Sequence, residues 1–118
     1  MAKIVYNSCY GGYGLSDEAV QRYAELKGLS IYKKKISEEY GYSSWYYTDR
    51  DESFSRDSIP RNDPFLVQAV EELGRAADGE YSELSIREVP DGSRYRIDEY
   101  DGRESVILES EEVWEVAG

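Results

Sequence analysis

The chain has 118 residues, of which 40% are hydrophobic and 33% are charged, so it is long enough for one domain with an ordinary core. It contains one cysteine and no histidine, which excludes a disulfide framework, a structural zinc site and a histidine-based triad within one chain. No stretch reaches membrane-spanning length and the N-terminus lacks a signal-peptide pattern. We therefore expect a cytoplasmic protein without membrane contact.

The net charge of −11 is unevenly distributed along the chain. Residues 1–59 carry 8 Lys/Arg and 9 Asp/Glu, whereas residues 60–118 carry 6 and 16. An acidic second half repels the phosphates of free nucleic acid, and it would attract a basic protein or imitate the charge of DNA. Solubility alone also explains such acidity.

A glycine-rich turn near the N-terminus is the clearest functional lead. An apolar run at 3–7 is predicted to be a strand, Gly-Gly-Tyr-Gly follows at 11–14, and Ser16 is a typical N-cap for a helix over 17–27. Glycines expose backbone amides and a helix N-terminus favours anions, so the pattern is typical of a phosphate site. The complete dinucleotide and phosphate-loop motifs are absent, and a tight strand-to-helix connection without ligand also explains the turn.

Residues 29–62 are predicted to be a variable, aromatic-rich loop region. A weak strand pattern occupies 29–36, and the Tyr, Ser and Asp content of 40–60 is typical of a long surface loop. Its aromatic side chains are expected to pack over a sheet edge, to stack on a base or to contact a protein. These side chains are Tyr40, Tyr42, Trp45, Tyr46 and Tyr47.

The second half of the chain is predicted to contain one helix and three strands. Asp63 caps the helix, Pro64 suits its first turn, and a helical apolar period continues to Gly79, with Gly74 as a point of close backbone approach. The predicted strands cover 81–89, 94–100 and 105–108, with turns at 90–92 and 101–102. The order of elements predicts a single α+β domain over 1–118, with a largely antiparallel sheet and two helices packed against it.

Arginines on the predicted strands supply the positive charge that an anion site needs. Arg94 and Arg96 share one strand face, and Arg87 lies across the predicted hairpin, so the three are placed to grip a diphosphate. Arg103 lies beside the 101–102 turn and is the most exposed candidate. Ion pairs with neighbouring carboxylates explain each arginine as well.

The segment from Lys3 to Ser16 resembles the opening of a family of small phage and prophage proteins, with its Cys-aromatic-Gly-Gly-aromatic-Gly turn and Leu-Ser helix start. The likeness extends to 63–64, 67–68, 71–74, 77–79 and 99–102. In size, element order and phage origin the chain is similar to phage Thoeris anti-defence sponges, which sequester cyclic ADP-ribose signals. This resemblance implies a homo-oligomer that binds a signal without cleaving it, inside the infected host cell.

Together these observations lead to the hypothesis of a phage-encoded anti-defence binding protein rather than an enzyme. It would sequester a nucleotide-derived immune signal, of the cyclic ADP-ribose or cyclic oligonucleotide type, with no metal or cofactor. Turn amides would hold phosphate, Tyr13 would stack on adenine and Asn7 would bond ribose or base. The predicted ligand-binding residues are Asn7, Gly11, Gly12, Tyr13, Gly14, Ser16, Arg87, Arg94, Arg96 and Arg103.

Two other functions stay open at this stage. An acidic protein inhibitor or DNA mimic would block a host defence complex such as CRISPR by placing its acidic 80–118 surface, with Glu109, Glu111 and Glu112, in a basic cleft. A small nucleotide-processing enzyme would need a nucleophile. Cys9 lies near a helix N-terminus, but without histidine it would need an unusual base, and a lone cysteine after a strand is more often incidental.

Overall fold

A computed structural model of the chain describes residues 1–35, 43–50 and 52–111. This part of the chain forms two α-helices and seven strands, and all strand pairing is antiparallel. In chain order the elements are β1 (Ala2–Asn7), α1 (Asp17–Lys27), β2 (Ile31–Lys35), β3 (Ser43–Tyr47), β4 (Ser53–Phe54), α2 (Pro64–Leu73), β5 (Leu84–Val89), β6 (Tyr95–Tyr100) and β7 (Arg103–Leu108). The predicted α+β class, with antiparallel strands and two helices, is confirmed.

The strands form three separate groups in the described residues: β1 with β5, β2 with β3 and β4, and β6 with β7. The predicted hairpin between β5 and β6 is wrong, because β5 pairs with β1, with Arg87 opposite Ile4, while β6 pairs with β7. The turn at 90–92 therefore connects two different sheets. The turn at 101–102 closes a true hairpin, with positive φ at both Asp101 and Gly102, as a two-residue connection requires.

Strand β1 is buried on both faces, which explains its continuous apolar run. Side chains alternate along a strand, so Val5 faces the main core of the two helices while Ile4 faces a smaller core with Val89 and Val106. The β6–β7 hairpin thus packs on the side of β1 opposite the helices. Fully burying an aliphatic side chain contributes about 1.5–3 kcal/mol, so both layers stabilise the strand.

Helix α1 has the predicted limits because its two ends are specified locally. The Ser16 hydroxyl accepts a hydrogen bond from the Ala19 amide at 3.1 Å, and Gly28 takes a left-handed conformation with φ 76°. Val20 and Tyr23 face the core between these ends. In the described part of the chain no helix is long and apolar enough to span a membrane.

Helix α2 starts as predicted and ends earlier. The Asp63 carboxylate accepts hydrogen bonds from the Phe65 amide and the Tyr23 hydroxyl, both at 2.9 Å. Burial alone would raise the pKa of Asp63, but these hydrogen bonds and the charge of Lys27 act together to lower it. The helix ends at Leu73 because Gly74 has φ 56° and leaves the helical conformation. The expected close approach at Gly74 is wrong, since a Cβ there would meet open space.

The prediction of a long loop over 40–60 is wrong where β3 and β4 form. Trp45 and Tyr47 point into the core, and the Tyr47 ring packs edge-on against Phe54 with centroids 5.5 Å apart. Tyr46 lies on the opposite face and stacks on Tyr32 of β2, with centroids 5.7 Å apart. The two serines and two tyrosines around Trp45 therefore made a half-buried strand look like a loop. Tyr40 and Tyr42 lie outside the described residues.

Candidate functional site

Three loops meet at one end of the molecule, and glycines permit their close approach. They are the connection from β1 to α1, the segment before β5 and the β6–β7 turn. A Cβ on Gly11 would lie 1.8 Å from the carbonyl oxygen of Tyr81, and one on Gly102 would lie 2.3 Å from that of Tyr10. A Cβ on Gly79 would lie 2.9 Å from the carbonyl carbon of Gly14. Backbone packing therefore accounts for part of the glycine content.

Asn7 ties these three loops together from beneath. Its side chain is fully buried, and Nδ2 donates to the carbonyl oxygens of Cys9 at 2.7 Å and Gly102 at 2.8 Å. Its Oδ1 accepts from the Glu83 amide at 2.8 Å and lies 3.3 Å from Cys9 Sγ. Both amide hydrogens and the oxygen are thus used within the fold. The predicted contact of Asn7 with a ribose or base finds no spare group, and Asn7 instead positions the loops.

A buried ion pair, which sequence reasoning missed, supports the same end of β1. Arg61 and Glu104 form two parallel bonds, Nη1–Oε1 at 2.6 Å and Nη2–Oε2 at 2.9 Å, with side chains only 21% and 8% exposed. Glu104 Oε1 also accepts from the backbone N–H of Asn7, while the Arg61 carbonyl accepts from the backbone N–H of Val5. The edge of β1 that does not pair with β5 is thereby covered by side-chain and loop oxygens.

Tyr13 of the glycine turn lies against this ion pair. The Arg61 guanidinium stands 3.3 Å from the centroid of the Tyr13 ring, so one face of the ring is already covered. Burial raises the pKa of Tyr13 to about 12, and its hydroxyl has no hydrogen-bond partner among the described residues. Any base that stacks on Tyr13, as predicted, must use the opposite face.

The glycine turn forms one wall of a cavity of about 550 Å³, called here the glycine pocket. Its volume falls in the range of about 300–1,000 Å³ that is typical of small-molecule sites. The structure therefore brings five predicted residues to a single concave surface: Gly11, Gly12, Tyr13, Gly14 and Ser16. The remaining lining residues are Leu15, Asp17, Arg56, Asp57, Asp78, Gly79, Glu80 and Tyr81.

Carboxylates dominate the charge of the glycine pocket. Asp17 is balanced by Lys33 at 2.5 Å and Arg56 at 3.7 Å, and Asp78 accepts a hydrogen bond from the Leu84 amide. Asp57 and Glu80 also line the pocket, and both are exposed. Such walls suit hydroxyl and amino groups better than phosphate, which they repel.

The hydrogen-bonding groups of Ser16 are engaged by the fold. Its amide donates to the Ala77 carbonyl at 3.0 Å, and its hydroxyl donates to the Ala76 carbonyl at 2.6 Å while capping α1. The Gly79 amide likewise donates to the Gly14 carbonyl at 3.2 Å. These bonds hold the pocket walls together and leave fewer donors for an anion than the sequence pattern indicates.

The predicted arginines do not converge on the glycine turn. Arg87 donates to the Val106 carbonyl and pairs with Glu111 at 2.8 Å, so the expected cluster with Arg94 and Arg96 across a β5–β6 hairpin is wrong. Arg94 pairs with Glu109 at 3.1 Å and Arg96 with Asp98 at 3.6 Å, at the end of β6 far from the 101–102 turn. Arg103 does lie beside the turn, with its guanidinium 5.7 Å from the centroid of the Tyr10 ring.

The remaining candidates from the sequence have ordinary surroundings. Cys9 Sγ lies 3.2 Å from the Tyr81 carbonyl oxygen and is half-buried. Glu109 and Glu111 of the acidic C-terminal surface are occupied by the two arginines just described, and Glu112 lies outside the described residues. No group of three side chains placed to bind a metal ion occurs in the described ranges.

Comparison with known proteins finds no match: no family model fits the chain, and no curated protein or solved structure is similar to it.

Proposed function

We propose that this chain is a binding protein that captures a nucleotide-derived ligand in the glycine pocket without converting it. The observation that supports this proposal is the coincidence of the 11–14 turn with a cavity of small-molecule size. In the setting that the phage resemblance implies, the ligand is an immune signal of the cyclic ADP-ribose or cyclic oligonucleotide type. Its sequestration would take place in the cytoplasm of the infected host cell.

The charge of the pocket orients such a ligand. Asp57 and Glu80 accept hydrogen bonds from ribose hydroxyls or from the amino group of a base, because ionised carboxylates are strong acceptors. The phosphates face outward, toward Arg56, whose side chain is 45% exposed and donates to the Leu15 carbonyl at 3.2 Å. The site therefore selects the nucleoside part of the ligand more strongly than its phosphates.

The chemistry of the chain supports binding without turnover. There is no histidine to act as a base, and the thiol of Cys9 faces Tyr81 and Asn7 oxygens rather than a basic group. We expect the ligand to be recovered intact after a prolonged incubation, and its conversion to a product would support the enzyme alternative instead.

Calorimetry with cyclic ADP-ribose isomers and cyclic oligonucleotides tests the proposal. A Gly14→Leu variant fills part of the pocket at little backbone cost, since Gly14 has no positive φ and a Cβ there would meet nothing closer than 4.0 Å. The exposed Ser110→Leu variant is the matched control. We expect micromolar binding by the parent protein, a loss of about tenfold or more with Gly14→Leu and no change with Ser110→Leu. Absence of binding to every one of these ligands contradicts the proposal.

A further inference from the structure

Three tyrosine rings stand exposed around the same three-loop end of the molecule. Tyr10, Tyr81 and Tyr100 are 59%, 70% and 79% exposed, and they make up half of the large hydrophobic side chains exposed in the described part of the chain. Scattered exposed aromatics are common, but a group of them in one region is typical of an interaction site.

The backbone contacts already described bring together the loops that carry the three tyrosines. Gly11, next to Tyr10, packs on the carbonyl group of Tyr81. Gly102, two residues after Tyr100, packs on the carbonyl group of Tyr10. Residues that are far apart in sequence are therefore neighbours through direct contact of their loops, with Tyr10 in the middle.

The three loops are held in place before any partner arrives. The buried side-chain amide of Asn7 donates to the Cys9 carbonyl in the first loop and to the Gly102 carbonyl in the hairpin turn. Its oxygen accepts from the backbone N–H of Glu83, just before β5. The hairpin turn is further closed by the Gly102 amide, which donates to the Glu99 carboxylate at 2.6 Å. Rigid loops lose little conformational entropy on binding, so the exposed rings are preorganised.

The charge of the residues next to the rings decides which class of partner fits. Exposed carboxylates follow or precede the rings directly, Glu80 beside Tyr81 and Asp101 beside Tyr100. This acidity repels nucleic acid, and it also repels a second copy of the same surface. A cationic partner remains, and arginine is favoured over lysine because its flat guanidinium both stacks on aromatic rings and pairs with carboxylates through two bonds.

We propose that this region is a docking surface for an arginine-rich segment of a partner protein. The tyrosine surface comprises Tyr10, Tyr81 and Tyr100 with Glu80 and Asp101. Arg103 of this chain already places its guanidinium over the Tyr10 ring, which illustrates the contact that the surface offers. An incoming segment would stack its arginines on the Tyr81 and Tyr100 rings and on the uncovered face of Tyr10, and would pair them with the carboxylates. Tyr81 and Glu80 also line the glycine pocket, so binding of the segment is tested in the absence of nucleotide.

A synthetic peptide of about 12 residues that alternates arginine and serine is the probe, with binding measured by fluorescence anisotropy at about 0.15 M salt. Replacing all three tyrosines by serine leaves the net charge unchanged, so it separates aromatic recognition from attraction by charge alone. We expect the triple variant to bind about tenfold or more weakly. Phe65→Ser, which removes an exposed ring from α2, should stay within about twofold of the parent protein.

Two further comparisons sharpen the test. The same peptide with lysine in place of arginine should bind several-fold more weakly, because an ammonium group stacks less well on a ring. Glu80→Lys with Asp101→Lys should weaken binding of the arginine peptide and reduce its dependence on salt. If the folded triple variant binds as the parent does, the peptide is held by net charge alone and the proposal is overturned.

Folding of the variants is checked by circular dichroism. If the triple variant does not fold, the single variant Tyr100→Ser is used instead, because this ring is the most exposed of the three. We expect its affinity for the peptide to fall about threefold. An unchanged affinity overturns the proposal. Gly14→Leu should leave binding of the peptide intact, and Tyr100→Ser should leave nucleotide binding intact. The two proposals can therefore fail independently.

Discussion

Two arginine–glutamate pairs of this protein lie in opposite surroundings. Arg61 and Glu104, beneath the glycine turn, approach to 2.6 Å with side chains 21% and 8% exposed. Arg94 and Glu109, on the β6–β7 hairpin, approach to 3.1 Å with side chains 84% and 61% exposed. In the first pair each charge has given up water and depends on its partner, whereas water competes throughout in the second. Burial, rather than the distance between charges, decides which pair the fold requires.

The same contrast applies to the residues that the sequence nominated as ligand contacts. Asn7 and Ser16 use their polar groups to connect loops, so they shape the site from below. The exposed groups on the rim, Asp57 and Glu80 with Arg56, remain open to solvent and to a ligand. Substitutions beneath the turn should therefore change stability first, and substitutions at the rim should change binding first.

The largest effect is expected from Glu104→Ala. This substitution leaves the Arg61 guanidinium buried without its counter-charge, and it leaves the backbone N–H of Asn7 without its acceptor. We expect it to lower the free energy of unfolding by about 3–5 kcal/mol. Urea denaturation measures this cost. Glu104→Gln keeps an acceptor for the Asn7 amide and should lose less. A loss below about 1 kcal/mol for the alanine variant would place this pair with the exposed ones.

A smaller loss of stability is expected at high pH, where Tyr13 ionises. Its folded pKa of about 12 lies above the ordinary value of 10.0, so the folded state favours the neutral phenol. Stability from this group is complete below about pH 10 and is lost as the pH rises toward 12, by up to about 3 kcal/mol. Tyr13→Phe should lack this loss in urea titrations at several pH values. The exposed Tyr100→Phe is the control and should retain it.

Ser16→Ala should have an intermediate effect of about 1 kcal/mol, since it removes the N-cap of α1. It also removes the bond to the Ala76 carbonyl, which joins α1 to the 3₁₀ turn after α2. Thermal unfolding measures the change. Ser16→Thr retains a hydroxyl and should recover most of the lost stability, and a threonine variant as weak as alanine would show that the hydroxyl is not the cause.

The smallest effect is expected from Arg94→Ala. Both side chains of its ion pair are mostly exposed, so the free energy of unfolding should change by less than about 0.5 kcal/mol. Chemical denaturation of Arg94→Ala alongside the Glu104 variants compares the losses of stability directly. A loss comparable to that of Glu104→Ala would show that exposure does not separate the two pairs.

Elements with local signals were predictable, and the pairing between distant elements was not. The two helix N-caps, the Gly28 stop and the 101–102 turn each depend on residues within a few positions of one another. The predicted arginine cluster was wrong because that prediction required consecutive strands to pair, whereas β5 pairs with β1 from the other end of the chain. The strand at Trp45 was not predicted because its serine and tyrosine residues concealed the two-residue period of buried side chains that is typical of a strand.

By itself the sequence determined the α+β class, both helix starts and the glycine turn as the feature to examine. Tertiary contacts determine which groups surround the turn, because its neighbours come from far along the chain. Glu104 reaches Asn7 across 97 residues, and Gly11 packs on Tyr81 through a contact that no local pattern encodes. Caps and turns are short-range interactions that can be read in sequence, whereas a pocket, a buried ion pair and a tyrosine surface exist only after distant segments have packed.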